Sequence, residues 1–296
     1  MVSKKERRMQ VILNIAFIIL SALVIIPFIM VVSISLSSEK DISMYGYSLL
    51  PKRIDWSGYK FVFQNPKTII NAYKVTGIFS IVGTALSTIL MAMFANLLAA
   101  DKSKGKKYVS FFLYFTMLFS GGLVPTYILI TQYLHLGNTI WVYIIPSLIS
   151  PWYVFMLRTF FQGLPGEISE SAYMDGASEY TIFFKIILPL SKPALATVAL
   201  MTFLAKWNSW NESMLYITKN ELMSLQYQLQ RIMENVQLMQ QLQGSVDQSL
   251  LNALGTIPAE TSRMAMAVVV AGPALVVFPF FQKYFVKGLT VGAVKG

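Results

Sequence analysis

Cysteine is absent from this chain, and histidine occurs once, at His135. Without a thiol there is no disulfide, no thiolate metal site and no cysteine nucleophile. A zinc site or a Ser-His-Asp triad would rest on His135 alone, in a short loop, where a surface or interfacial histidine is the simpler reading. Charge is scarce as well: 13% of the 296 residues are charged against 55% hydrophobic, with a mean hydropathy of +0.57. A soluble domain has about a quarter of its residues charged, so the composition is that of a polytopic membrane protein. The string G-x-x-x-x-G-K-[ST] does not occur. Its absence removes the phosphate-cradling loop and ATP hydrolysis by that route. No catalytic residue, metal ligand or bound cofactor is expected.

The net charge of +10 would suggest nucleic acid in a soluble protein, but its distribution points elsewhere. Lys4, Lys5, Arg7 and Arg8 precede the first apolar run, and Lys102, Lys104, Lys106 and Lys107 crowd a short gap. Basic residues concentrate on cytoplasmic segments, so these clusters set orientation, and no nucleic-acid partner is expected.

Apolar windows of about 20 residues, enough to cross ~30 Å of hydrocarbon, predict six spans near 11–32, 72–100, 108–130, 140–161, 193–217 and 264–285. The fold class is therefore all-α, one polytopic domain over residues 1–296. The first run follows a basic start, yet it is too long for a usual signal peptide and lacks a clear A-x-A site. It reads as a retained helix. With the N-terminus inside, both termini are cytoplasmic, and 162–192 is a cytoplasmic loop. The outer segment 218–263 contains a glutamine-rich stretch with Leu225, Leu229, Ile232, Met233 and Val236 at helical spacing. That spacing predicts an amphipathic helix, ended by Gly244.

Residues 170–193 read ESAYMDGASEYTIFFKIILPLSKP. Lipid cannot satisfy the polar groups of such an island, so it must face water or another protein. Its periodicity predicts a short helix, a turn and a second helix. Gly176 supplies either an unusual backbone angle or room for another chain. Pro189 is expected to stop the second helix, and Pro193 suits the first turn of the next span. On periodicity alone, a mere interfacial anchor fits equally well.

The string Glu170-Ser171-Ala172, Asp175-Gly176-Ala177, Ile187-Leu188-Pro189 and Pro193 resembles the EAA loop of bacterial ABC-importer permeases. Ser171 replaces the first alanine of that pattern, a small-for-small change. The Asp175-Gly176-Ala177 triplet and the C-terminal residues 282–296 resemble the carbohydrate-uptake permeases of the maltose-importer kind, in their second-subunit branch. The surroundings of Pro51 and Pro125-Thr126-Tyr127 are similar to its subgroup for complex oligo- and polysaccharides.

This resemblance implies a type I ABC importer permease in a bacterial cytoplasmic membrane, moving an oligosaccharide or complex glycan by alternating access. Glu170, Ser171, Ala172, Asp175, Gly176, Ala177, Leu188 and Pro189 would form the coupling helix and its surroundings, seated in a cytoplasmic ATPase. The implied partners are a second homologous permease subunit in a heterodimer, two copies of the ATPase carrying ATP and Mg, and an extracellular solute-binding lipoprotein. The tail at 288–296 would reach toward the ATPase.

Carbohydrate sites use aromatic faces and amides. The predicted fifth span offers Trp207, Asn208, Trp210, Asn211 and Glu212, with Trp207, Trp210 and Asn211 on one face of a continuous helix. These line a wet cavity, or else form an interfacial aromatic belt. Trp152 and Tyr153 are further candidates in the fourth span. Arg158 reads as a snorkelling cation, and Asn96 as a bond between helices. The rival class, an ion-coupled secondary transporter for a small solute, needs buried carboxylates in its spans, and Glu212 is the one such residue.

Overall fold

Two compact units make up the computed structural model of the chain, which describes residues 4–100, 105–243 and 258–293. The expected positions Lys102, Lys104 and Gly244, and the last tail residues 294–296, lie outside the described residues. The structure is all-helical: no strand occurs among the described residues.

The first unit comprises Met1–Ile69 and Leu229–Gly272. It opens with α1 (Lys4–Ser35), whose stretch Arg7–Ser35 is long and apolar enough to span and buries none of its apolar window. Two short helices follow, α2 (Glu39–Tyr45) and α3 (Ser57–Val62). The second unit, Ile70–Gln228 with Pro273–Gly296, takes up most of α4 (Pro66–Ala99), a single helix longer than the run 72–100.

Next come α5 (Lys106–Leu118) and α6 (Leu123–Ile128), continued by a π-turn at Leu129–Tyr133. The chain bends by 117° between them, at Gly121-Gly122, where Gly122 sits at φ +85°. Two 3₁₀ turns, Ile140–Tyr143 and Ile145–Ser147, meet α7 (Pro151–Gln162) at 51°. The island forms α8 (Gly166–Met174), α9 (Glu179–Ile182), a π-turn (Phe183–Ile187) and α10 (Leu188–Leu190). It leads into α11 (Lys192–Trp207) and α12 (Asn211–Tyr216). The last two helices are α13 (Leu225–Gln243) and α14 (Ala259–Ala293). Three single helices and three bent pairs thus meet the length and apolarity of spans.

Two expectations require correction. Pro189 does not stop the second island helix, which runs on to Leu190 before bending by 81° into α11. Proline has no N–H for the residue four back, and its ring crowds that carbonyl. The chain answers with the π-turn at Phe183–Ile187, which widens the helix rather than ending it. The fifth span is also not one helix to residue 217. It ends at Trp207: the Asn208 N–H still donates to the Leu204 carbonyl at 3.0 Å, joined there by its own side-chain amide at 2.9 Å, and the next N–H, of Ser209, turns back to the Lys206 carbonyl three residues before it.

Two apolar clusters hold the second unit. One joins Met91, Ala95 and Leu98 of α4 to Leu113, Val154, Leu157, Phe161, Phe183 and Val198. The other gathers Phe79, Val142, Tyr143, Tyr216 and Met223, with Phe79 stacked on Tyr143 at 4.3 Å between ring centres.

In the first unit a carboxylate captures a helix start. Glu39 accepts from the backbone N–H of Glu260 at 3.0 Å and of Thr261 at 3.1 Å, and from the Thr261 hydroxyl at 3.0 Å. These are orphan donors at the positive end of α14, and an anion there is favoured. Glu260 itself pairs with Arg263 and accepts from the Tyr47 hydroxyl. The Glu260 charge, helped by burial, holds the Tyr47 phenol above its ordinary range. Glu39→Gln should lower the stability of the purified protein by about 1–2 kcal/mol, the worth of a partly buried charge at a helix terminus. A thermal midpoint equal to that of the parent protein would mean that the capture adds nothing.

Candidate functional site

The island is built to project. In α8 no residue is buried, and Glu170 and Ser171 are exposed while Ala172 is half-buried. Met174 is 88% exposed and Tyr180 is 74% exposed, with Tyr173 open beside them. These apolar side chains stand open on either side of the turn.

The turn after α8 is closed by two backbone bonds. Ala177 N–H donates to the Ala172 carbonyl at 3.0 Å and Gly176 N–H to that of Tyr173 at 3.0 Å. This is a Schellman closure, which places the residue at Gly176 in the left-handed region; its φ is +77°. Nothing lies within 4 Å of where a Cβ would stand. Of the two readings of this glycine, the backbone angle is therefore the one visible within the chain. Asp175 and Ala177 flank it, the first exposed and the second half-buried.

Beyond the turn, Ser178 accepts from Thr181 N–H and starts α9. Phe183 is buried in the apolar cluster that also holds Leu157 and Phe161 of α7 and Val198 of α11, and Ile187 and Leu188 pack against that cluster. Pro189 is exposed. The island thus has a free half, α8 with its turn, and a rooted half gripped by neighbouring helices.

The second candidate group sits at the break between α11 and α12. Trp207 is 5% exposed and stacks on Phe203 with ring centres 5.8 Å apart. Asn208 is exposed, and its amide oxygen accepts from Gln226 at 2.9 Å. Trp210 lies in the break, half-buried, and Asn211 opens α12, exposed. Glu212 accepts from the Ser209 hydroxyl. The single helix face expected for Trp207, Trp210 and Asn211 does not exist, because the helix stops between them. Away from this group, Trp152 is exposed at the start of α7 and Tyr153 is half-buried in the first apolar cluster.

One buried cation stands out beyond those expectations. Lys206 is 5% exposed and donates to the Ser147 hydroxyl at 2.6 Å. A lysine inside an apolar run was the available signal; its partners come from distant parts of the chain. Among the described residues, no group of three or more acidic or histidine side chains could hold a metal.

Three apolar helices and three bent pairs, with an exposed helix–turn–helix among them, define a polytopic membrane protein. The chain belongs to the family of binding-protein-dependent transport system inner membrane components, which it matches over residues 72–291. It is 35% identical over 275 residues to Protein LplC of Bacillus subtilis (strain 168), spanning 93% of this chain and 90% of that protein. To the polygalacturonan/rhamnogalacturonan transport system permease protein YtcP of the same organism it is 34% identical over 281 residues, 95% of this chain and 96% of the relative. The crystal structure of a bacterial ABC transporter involved in the import of the acidic polysaccharide alginate contains a chain that superposes with a TM-score of 0.80. The two share 27% sequence identity over 96% of this chain and 99% of that one. The protein is thus a multi-pass ABC-importer permease subunit, a transport component working with an ATPase and a solute-binding protein.

Proposed function

We propose that this permease forms one half of a heterodimeric pathway for an oligosaccharide or complex glycan. Two copies of a cytoplasmic ATPase carry ATP and Mg and drive alternating access, and an extracellular solute-binding lipoprotein delivers the sugar. Both termini are cytoplasmic, with the tail at 288–296 directed to the ATPase. The names of the relatives, polygalacturonan/rhamnogalacturonan permease and alginate importer, support a complex glycan as cargo.

The projecting α8 and its turn carry the coupling role. The free half presents Met174 and Tyr173 to a partner, with Glu170, Ser171 and Asp175 as polar contacts, and Tyr180 joins them from α9. The rooted half passes movement through Phe183 and Leu188 to α7 and α11, with Pro189 and its π-turn setting the exit angle. On the pathway side, Asn208, Trp210, Asn211 and Glu212 at the helix break, and Trp152 with Tyr153, are the sugar-facing groups. Trp207 supports them by packing.

The test is uptake of labelled galacturonan oligosaccharides by the full complex in lipid vesicles. Uptake should require both ATP and the binding protein and be indifferent to an imposed proton or sodium gradient. Uptake that follows the gradient without ATP would establish the rival, an ion-coupled secondary transporter.

A further inference from the structure

Lys206 is a buried ammonium in the last turn of α11, and Ser147 is its hydrogen-bond acceptor. An ammonium has three N–H donors to place. Among the described residues Lys206 forms no ion pair. The negative end of the helix dipole at the α11 terminus favours the charge, but it leaves the remaining donors unassigned.

The surface facing this lysine is polar along its length. On α4, Ser80, Thr84, Ser87 and Thr88 fall at helical spacing with Gly83 among them, so they share one face. Gly83 marks the contact: a Cβ there would stand 3.0 Å from Cδ and Cε of Lys206 and 3.2 Å from Nζ. Ser87 donates to the Ser147 carbonyl at 3.5 Å. Ser80, Thr84 and Thr88 on α4, and Thr202 one turn before Lys206 on α11, bury their hydroxyl oxygens without a hydrogen-bond partner. Such orphans are uncommon in folded proteins, and each needs a reason. Donors in excess on the lysine and acceptors in excess on α4 lie in one seam.

We propose that Lys206 and the α4 hydroxyls form a two-position polar latch between α11 and α4. In the conformation described here the ammonium is paired with Ser147. In the other conformation of the transport cycle it pairs with Thr84 and Ser80, roughly one turn apart along α4. Packed interfaces of this kind hold discrete arrangements rather than sliding smoothly. Lys206 is thereby a positioning residue: it touches neither ATP nor the coupling loop, and it fixes the end of α11 from which the break at 208–210 departs. The latch rests on the alternating-access reading given above.

Static packing and a latch predict opposite results for the orphan hydroxyls. Removing an unsatisfied buried hydroxyl should not destabilise a static seam, and no function should change. The chain has no cysteine, so Ile78→Cys and Met201→Cys, both at exposed positions on α4 and α11, give a clean spin-label pair. In the full complex in lipid vesicles the parent pair should show two label distances, exchanged by ATP with vanadate. Ser80→Ala with Thr84→Val should keep the thermal midpoint and basal ATP hydrolysis, yet deplete the second distance about fivefold, the effect of roughly one lost hydrogen bond. Lys206→Met should abolish the exchange. Should it fail to assemble, the hydroxyl variants decide alone. Label distances in parental proportions in Ser80→Ala/Thr84→Val would overturn the latch. A complex that exchanges distances with ATP but takes up no galacturonan oligosaccharide would sink the substrate reading and leave the latch standing.

Discussion

Gly176→Val is expected to leave the permease in the membrane with its partners while cutting ATP-driven uptake about tenfold or more, because the left-handed backbone disfavours a side chain by roughly 1–2 kcal/mol. At this position φ is +77° and two backbone bonds close the turn behind it. A β-branched residue forces the turn open and swings α8 away from the direction set by the rooted half. Since no atom lies within 4 Å of the site of a Cβ, the variant gains no clash within its own chain. The apolar clusters of the spans are untouched, so the thermal midpoint should move little. ATP hydrolysis should continue at its basal rate, no longer matched to uptake.

Gly176→Asn separates angle from bulk. Asparagine tolerates the left-handed region better than other non-glycine residues, so uptake should stay within about threefold of the parent if the angle alone matters. An asparagine variant as defective as the valine one would show that a partner backbone approaches Gly176 closely. Parental uptake by Gly176→Val would remove the coupling role from this turn altogether.

Much of this site was legible because its signals are local. A run of apolar residues is its own ruler: the first, second and sixth windows fall on single long helices, while the third and fourth fall on pairs bent by 117° and 51° that length and apolarity alone do not announce. The island was visible as a polar interruption, and its periodicity anticipated the helix, turn and second helix that the chain forms there. Other features depend on residues that are remote in sequence. The π-turn at Phe183–Ile187 is a response to Pro189 inside a helix anchored by Phe183 against α7 and α11. A proline by itself signals only that something must yield. The buried state of Lys206 requires Gly83 and Ser147, from two other elements. Glu39 finds its partners at the start of α14, far along the chain. The break after Trp207 has a local sign in Asn208, whose side chain also bonds the Leu204 carbonyl, but asparagine near the end of an apolar run is equally compatible with a helix that continues.

That break reverses what a truncation at Trp207 should do. On a continuous helix facing a cavity, Trp207→Ala would alter sugar handling and little else. In the folded protein the indole is 5% exposed and its face is covered by Phe203. Truncation leaves a cavity at the end of α11, beside the seam that holds Lys206. Losing a buried tryptophan side chain typically destabilises by about 3–5 kcal/mol. The expected result is a marked fall in thermal midpoint and in the amount of assembled complex, with uptake per assembled complex falling less. Asn211→Ala provides the contrast. Asn211 is exposed at the first turn of α12, so its loss should spare the thermal midpoint and appear instead as a raised KM for the oligosaccharide. If Trp207→Ala assembled at parental levels and changed KM alone, the indole would have to reach the sugar in another conformation. Equal effects of both variants on assembly would instead make the whole segment 207–212 a packing element, and move the sugar contacts toward Trp152 and Tyr153.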